Sequence, residues 1–152
     1  MKNLLVIDGN SILNRAFYGI RPLSTKSGLP TNAVYGFLNI IKKHMDALSP
    51  AKMVCAFDRK APTFRHKMYE GYKAGRHATP EDLISQFPDA KECLSLMGLH
   101  VLELPGYEAD DILGTVAKRS AAKDIITYIL TGDKDSLQLV SEMSNVIMPG
   151  KN

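Results

Sequence analysis

The sequence predicts an α/β fold of three layers, a mostly parallel central sheet with helices on both sides. Short apolar, strand-like runs alternate with stretches of helical periodicity, the pattern of βαβ units. The run Ile125 to Leu130 is β-branched and continuous, as a strand buried on both faces must be. Acids follow these runs at their ends. In a parallel sheet those ends share one edge, where ligands bind.

Taken in order, Asn3 to Ile7 reads as a strand that ends in the turn Asp8-Gly9-Asn10. From Thr31 to Leu48 the residues Val34, Phe37, Leu38, Ile41, Met45 and Leu48 recur at helical spacing, with Thr31 as N-cap and Lys42 and Lys43 facing water. Lys52 to Phe57 is the second strand and delivers Asp58. Thr79-Pro80-Glu81-Asp82 opens a helix, with Thr79 as cap and Pro80 at the first position. It runs to about Met97, kinked near Pro88 and ended by Gly98. Leu99 to Leu104 is a third strand, followed by a helix from about Glu108. The fourth strand ends in the turn Thr131-Gly132-Asp133-Lys134-Asp135, and Asn145 to Met148 forms a marginal fifth.

The chain has 152 residues, the size of one domain, and 45% hydrophobic composition suffices for one core. Leu4 to Ile7 is too short for a signal peptide, and no apolar run approaches a membrane span. Cys55 and Cys93, with no CxxC or Cys/His grouping, read as reduced core residues of a cytoplasmic protein. The 19 Lys and Arg against 16 Asp and Glu give a net charge of +3. Seven of those acids, Asp8, Asp58, Glu108, Asp110, Asp111, Asp133 and Asp135, fall at strand ends or helix starts, leaving nine against the 19 bases. An acidic pocket within a basic surface suits a polyanion held by its phosphates.

On a helix, Glu108 and Asp111 share a face while Asp110 projects elsewhere. Acids also favour helix N-termini, and Asp is common in turns, so neither GYEADD nor TGDKD is decisive alone. Four strand ends each supplying acids are harder to explain structurally, because packed carboxylates repel. Hard oxygen ligands without His or Cys favour Mg²⁺ or Mn²⁺ over Zn²⁺. Two ions roughly 3.5–4 Å apart would activate water and stabilise the leaving oxygen of a phosphodiester. The stretch from Arg59 to His77 interleaves six basic residues with Phe64, Tyr69 and Tyr72, and reads as a short helix and loop. Lys73 and Arg76 would add positive charge at the scissile phosphate, and Tyr72 could stack on an unpaired base.

The DGN opening with Asn14-Arg15-Ala16, FDRKAPTFRH, YKAGR, QFP, GYEADD and TGDKDSLQLV together resemble the N-terminal 5′-nuclease domain of bacterial DNA polymerase I, in the flap endonuclease superfamily. The resemblance covers nearly the whole chain. It implies a PIN-like or resolvase-like fold with a basic helical arch from about Phe64 to His77, and the seven acids as metal ligands, direct or through water. It further implies catalytic roles for Lys73, Arg76 and Asp111, and DNA contacts by Arg15, Phe64, Arg65, Lys67, Tyr72, Lys73 and Arg76. The activity implied is 5′-3′ exonuclease and 5′-flap endonuclease cleavage of DNA in replication and repair, with two Mg²⁺ or Mn²⁺ ions and a polymerase domain in the parent chain. Residues 1–152 would be the catalytic part of that domain, without its downstream helix-turn-helix-like part and further aspartates. On that footing this stretch alone has weak or no activity, and a DNA-binding piece that does not cut is the alternative. Arg59 stands where the family usually has a small residue, and Ser136 where it usually has an apolar one. An aspartate-nucleophile phosphatase would need an acid at Asn10, and no GxGxxG or GxxxxGK[ST] follows the first strand.

Overall fold

The computed structural model describes residues 1–59 and 79–150. Its architecture follows from β1 (Asn3–Asp8), whose successive side chains feed two different cores. Leu5 and Ile7 pack with Ile12, Leu13, Phe37, Ile41 and Leu94 on one side of the sheet. Leu4 and Val6 pack with Ala109, Ile112, Leu113 and Ala117 on the other. A strand apolar on both faces needs a helical layer on each side.

The other strands are β2 (Lys52–Ala56), β3 (His100–Leu102), β4 (Ile126–Leu130) and β5 (Ser144–Ile147). All five run parallel in the order β3-β2-β1-β4-β5. The chain winds outward from β1 first through β2 and β3, then through β4 and β5. The order reverses between β1 and β4, and a crevice opens at the carboxyl ends of strands at such a point.

Helix α1 (Gly9–Gly19) occupies residues whose opening the sequence predicts as a turn. Asp8 caps it, its side chain accepting from the Ser11 amide, and Ile12, Leu13 and Ala16 form its buried stripe. The Gly-Asn-Ser start conceals a helix because the cap itself is the last residue of a strand. Helix α2 (Asn32–Leu48) matches the expected span, with Thr31 at the N-cap position but without a side-chain bond, and with Lys42 and Lys43 exposed. Gly36 lets α1 and α2 touch, since a Cβ there would stand 2.9 Å from that of Ala16.

The helix predicted from residue 79 to 97 is two helices, α3 (Glu81–Ile84) and α4 (Gln86–Leu96). Pro80, not Thr79, is the cap of α3, and the break falls at Ser85, not at Pro88. Pro88 lies in the first turn of α4, where an absent N–H costs nothing. Gln86 explains the break: fully buried, it donates to Asn32 Oδ1 and the Asp82 carbonyl, and it accepts from the Val34 amide. Asn32 donates in turn to the carbonyls of Phe17 and Ile20, so one amide pair joins α1, α2 and α4. At the far end Gly98, at φ +84, closes α4 with the Leu99 amide on the Leu94 carbonyl and its own on Ser95.

Helix α5 (Ala109–Ala121) covers the opposite face, and a 3-10 helix (Lys134–Leu139) replaces the plain turn predicted after β4. Strand β3 is shorter than predicted, three residues at the sheet edge. Cys55 is buried in β2, where burial pushes its thiol well up, and Cys93 is half-buried; both are free. The basic stretch, apart from Arg59, and with it the expected arch, lies outside the described residues. Among the described residues no helix is long and apolar enough to cross a membrane.

Candidate metal centre

Four acids meet at the carboxyl edge of the sheet, each delivered by a different strand. Asp8 ends β1, Asp58 lies two residues beyond β2, Asp110 stands in the first turn of the helix after β3, and Asp133 follows β4. The proximity registers in the titration of two of them, Asp8 and Asp110. Burial pushes the Asp8 carboxyl up to about 7, with the charges of Asp110 and Asp58 adding to the rise; hydrogen bonds from Thr131 and Ser11 oppose it. Asp110 is pushed up to about 6, again first by burial, then by the charges of Asp133, Asp58, Glu108 and Asp111. Asp8 and Asp110 therefore release their protons well above the ordinary carboxylate range.

The polar contacts around these acids are specific. Asp8, only 4% exposed, accepts from the Ser11 amide on Oδ1 at 3.3 Å and from the Thr131 hydroxyl on Oδ2 at 2.8 Å. Asn10 Oδ1 accepts from the Asp58 amide at 2.8 Å, and Asp58 Oδ1 accepts from the Ala109 amide at 2.5 Å. Asp133 Oδ1 accepts from the Asp135 amide at 2.9 Å and so caps the 3-10 helix. Glu108 and Asp111 form a reciprocal capping box at the start of α5, with the Glu108 amide donating to Asp111 Oδ2 at 2.9 Å.

These contacts sort the seven predicted acids. Asp8, Asp58, Asp110 and Asp133 converge electrostatically. Glu108 and Asp111 do share a face, as their spacing predicts, and the capping box uses it; Asp110 feels the charges of Asp133 and Asp58 from the other strands as well as those of Glu108 and Asp111. Asp135 is exposed, and its charge is not among those that raise Asp8 or Asp110. Among the described residues no three His, Cys, Asp or Glu side chains stand close enough to hold one metal ion as a ready-made cage. The donor chemistry nevertheless fits a hard divalent cation: the groups are carboxylates, two of them shifted toward the protonated form, first by burial and then by the charge of neighbouring acids. Arg15 donates to the Gly150 carbonyl at 3.0 Å, in a groove of about 560 Å³ between α1 and α2 that Lys43 and His44 also line. Phe64, Arg65, Lys67, Tyr72, Lys73 and Arg76 lie outside the described residues.

Sequence reasoning missed Asn10, Ser11 and Thr131, which hold the acids in place. The signals available were slight: the polar pair Asn10-Ser11, separated from the strand-end Asp8 by Gly9, and a hydroxyl directly before Gly132-Asp133.

Comparison with known proteins bears on the fold and the family. The family model described as the 5′-3′ exonuclease, N-terminal resolvase-like domain matches residues 3–152. The chain is 46% identical over 148 residues to the thermostable DNA polymerase I of Thermus filiformis, covering 97% of this chain and 18% of the polymerase. It is 45% identical over 149 residues to a 5′-3′ exonuclease of Aquifex aeolicus, covering 98% of this chain and 52% of that protein. The chain thus spans about half the length of that exonuclease and under a fifth of the polymerases. Among solved structures, a bacteriophage T5 protein co-crystallised with metal ions superposes with a TM-score of 0.77 at 18% identity, covering 97% of this chain and 55% of that one. The T5 5′-exonuclease with bound zinc gives a TM-score of 0.70 at 18% identity, over the same shares of the two chains. At such identity these structures speak to the fold alone, and it is the resolvase-like α/β fold seen here. By the match across residues 3–152, the chain belongs to the family of the 5′-3′ exonuclease N-terminal, resolvase-like domain.

Proposed function

We propose that this chain carries the catalytic part of a divalent-metal-dependent DNA nuclease, which hydrolyses phosphodiesters at 5′ flaps and 5′ ends during replication and repair. The observation that carries the proposal is the charge coupling of acids delivered from four strand ends, Asp8 with Asp58 and Asp110, and Asp110 with Asp58 and Asp133. Related proteins support the substrate: a T5 flap endonuclease of similar fold is known in complex with DNA and metal ions, and relatives in bacteria are named DNA polymerase I.

Asp8, Asp58, Asp110 and Asp133 would hold Mg²⁺ or Mn²⁺, two ions in the intact domain, with Glu108, Asp111 and Asp135 contributing directly or through water. When bound, the ions supply an activated water and stabilise the leaving oxygen. The protein's own part is to aim and charge the acids. Thr131 and Ser11 orient Asp8, Asn10 and the Ala109 amide fix Asp58, and the capping box holds Asp111 beside Glu108. Lys73 and Arg76 offset charge on the scissile phosphate, and Tyr72 stacks on an unpaired base of the 5′ strand, with Phe64, Arg65, Lys67 and Arg15 holding its backbone. The enzyme works in the bacterial cytoplasm, joined in its parent chain to a polymerase domain.

A gel assay on a labelled 5′-flap DNA tests the proposal, with Mg²⁺ or Mn²⁺ and with chelator. The expected result is slow, metal-dependent cleavage that Asp111→Asn reduces by about 10–100-fold or more. Cleavage that survives the chelator, or an equally active Asp111→Asn, would sink it. Retention of the flap without any cutting would favour a DNA-binding piece instead.

A further inference from the structure

We propose that Thr131 and Ser11 are positioning residues: their hydroxyls lock the acid-bearing turn after β4 onto the end of β1, and so set the affinity of the centre for divalent cations. The proposal rests on the metal-site reading above and adds to it the groups that aim the ligands.

Strands β1 and β4 are neighbours, with Ile7 paired to Leu130, so Asp8 and Thr131 leave the sheet side by side. Thr131 is fully buried. Its hydroxyl carries one proton, and that proton goes to Asp8 Oδ2 at 2.8 Å. The same oxygen accepts from the Asp133 amide at 3.0 Å. With donor and acceptor both engaged, the hydroxyl cannot rotate without breaking a bond. One side chain therefore fixes the Asp8 carboxylate plane and the backbone that presents Asp133, two acids from neighbouring strands.

Ser11 completes the clamp from α1. Its amide donates to Asp8 Oδ1, and its Oγ accepts from the Gly132 amide at 2.8 Å. The consecutive amides of Gly132 and Asp133 are thus tied to two hydroxyls from different elements. Gly132 suits this closeness, because a Cβ there would stand 3.1 Å from Ser11 Oγ. A purely structural pair of hydroxyls would contribute to folding alone. A positioning pair contributes to cation affinity, since groups that orient metal ligands typically change affinity about 10–100-fold when removed.

Calorimetric titration of Mn²⁺ separates these readings, using the wild-type chain, Thr131→Val, Thr131→Ser, Ser11→Ala and Asp8→Asn, each with a thermal melt in chelator. Thr131→Val keeps the shape and removes the hydroxyl; it should weaken Mn²⁺ binding about 10–100-fold. Thr131→Ser restores the hydroxyl and should bind close to wild type. Ser11→Ala should weaken binding with little change in melting temperature, because the Gly132 amide it releases is exposed to water. Wild-type affinity in Thr131→Val, beside a clear loss in Asp8→Asn, would overturn this inference and leave the metal site standing. So would a Thr131→Ser variant as weak as Thr131→Val. Equal binding by wild type and Asp8→Asn would remove the metal-site reading and this inference together. If Thr131→Val does not fold, Ser11→Ala decides: unchanged affinity in that variant overturns the clamp, and weakened affinity at constant stability supports it.

Discussion

Asp58 Oδ1 accepts the Ala109 amide at 2.5 Å, so a carboxylate beyond β2 caps the helix that follows β3. A charged acceptor at a helix N-terminus satisfies an orphan donor and meets the positive end of the helix dipole. The residue therefore has a structural task beside its chemical one, and the two can be parted. Asp58→Asn keeps an oxygen for the Ala109 amide and should melt within about 1 kcal/mol of wild type while losing cation affinity. Asp58→Ala should lose both, with a stability cost of about 1–2 kcal/mol. Equal melting of the two variants would remove the capping role.

The shifts at Asp8 and Asp110 give stability a pH dependence of definite sign. The folded chain holds a proton on Asp8 up to about pH 7, whereas the unfolded chain releases it near 3.8. Asp110 behaves likewise up to about 6. In chelator the folded state should thus be most stable at acid pH, and it should lose stability as pH rises from about 4 to 7. Each pKa unit corresponds to about 1.4 kcal/mol, so Asp8 alone sets an upper bound of roughly 4 kcal/mol on its contribution. Asp8→Asn, which keeps a good cap for α1, should flatten the fall and raise the melting temperature at pH 8. Melts in chelator across pH 5 to 8 check this; a wild-type curve that rises through the interval would contradict it.

Gly9 is held to glycine by packing. A Cβ there would lie 2.5–2.7 Å from the Phe57 ring, which is fully buried between Phe37 and Phe87 with Lys91 over its face. That ring has nowhere to go. Gly9→Ala should cost about 1–3 kcal/mol, and shrinking the ring in a Gly9→Ala, Phe57→Leu double variant should recover part of it. Additive losses in the double variant, measured by denaturant melts, would show that the contact is not the cause.

Ser136 Oγ, in the 3-10 helix, is buried without a hydrogen-bond partner among the described residues. Burying an unsatisfied hydroxyl is unfavourable, so Ser136→Ala should be neutral or stabilising by up to about 1 kcal/mol. A clear destabilisation in the same melts would reveal a partner for that hydroxyl.

The sheet was legible in the sequence because parallel strands buried on both faces are short and apolar, as in NLLVI and IITYIL. The acids were legible for a related reason: polar residues end such strands, and parallel strands end together. Helix α1 was hidden because its cap, Asp8, is also the last residue of β1, and Gly9 and Asn10 carry turn propensity that the burial of Ile12, Leu13 and Ala16 overrides. The break at Ser85 was hidden because it depends on Gln86 reaching Asn32, 54 residues away in sequence. The prominence of Asp110 depends on where α5 begins, one residue after Glu108, and boundaries are what periodicity defines least well. Thr131 and Ser11 left only a slight signal, since their role arises from β1 and β4 lying side by side.

The most direct test of the account is where a divalent cation binds. Crystals of the chain grown or soaked with Mn²⁺ should show an anomalous peak at the carboxyl edge of the sheet, ligated by oxygens from among Asp8, Asp58, Asp110 and Asp133. A well-ordered peak elsewhere on the molecule, with these four side chains free of metal at saturating Mn²⁺, would contradict it.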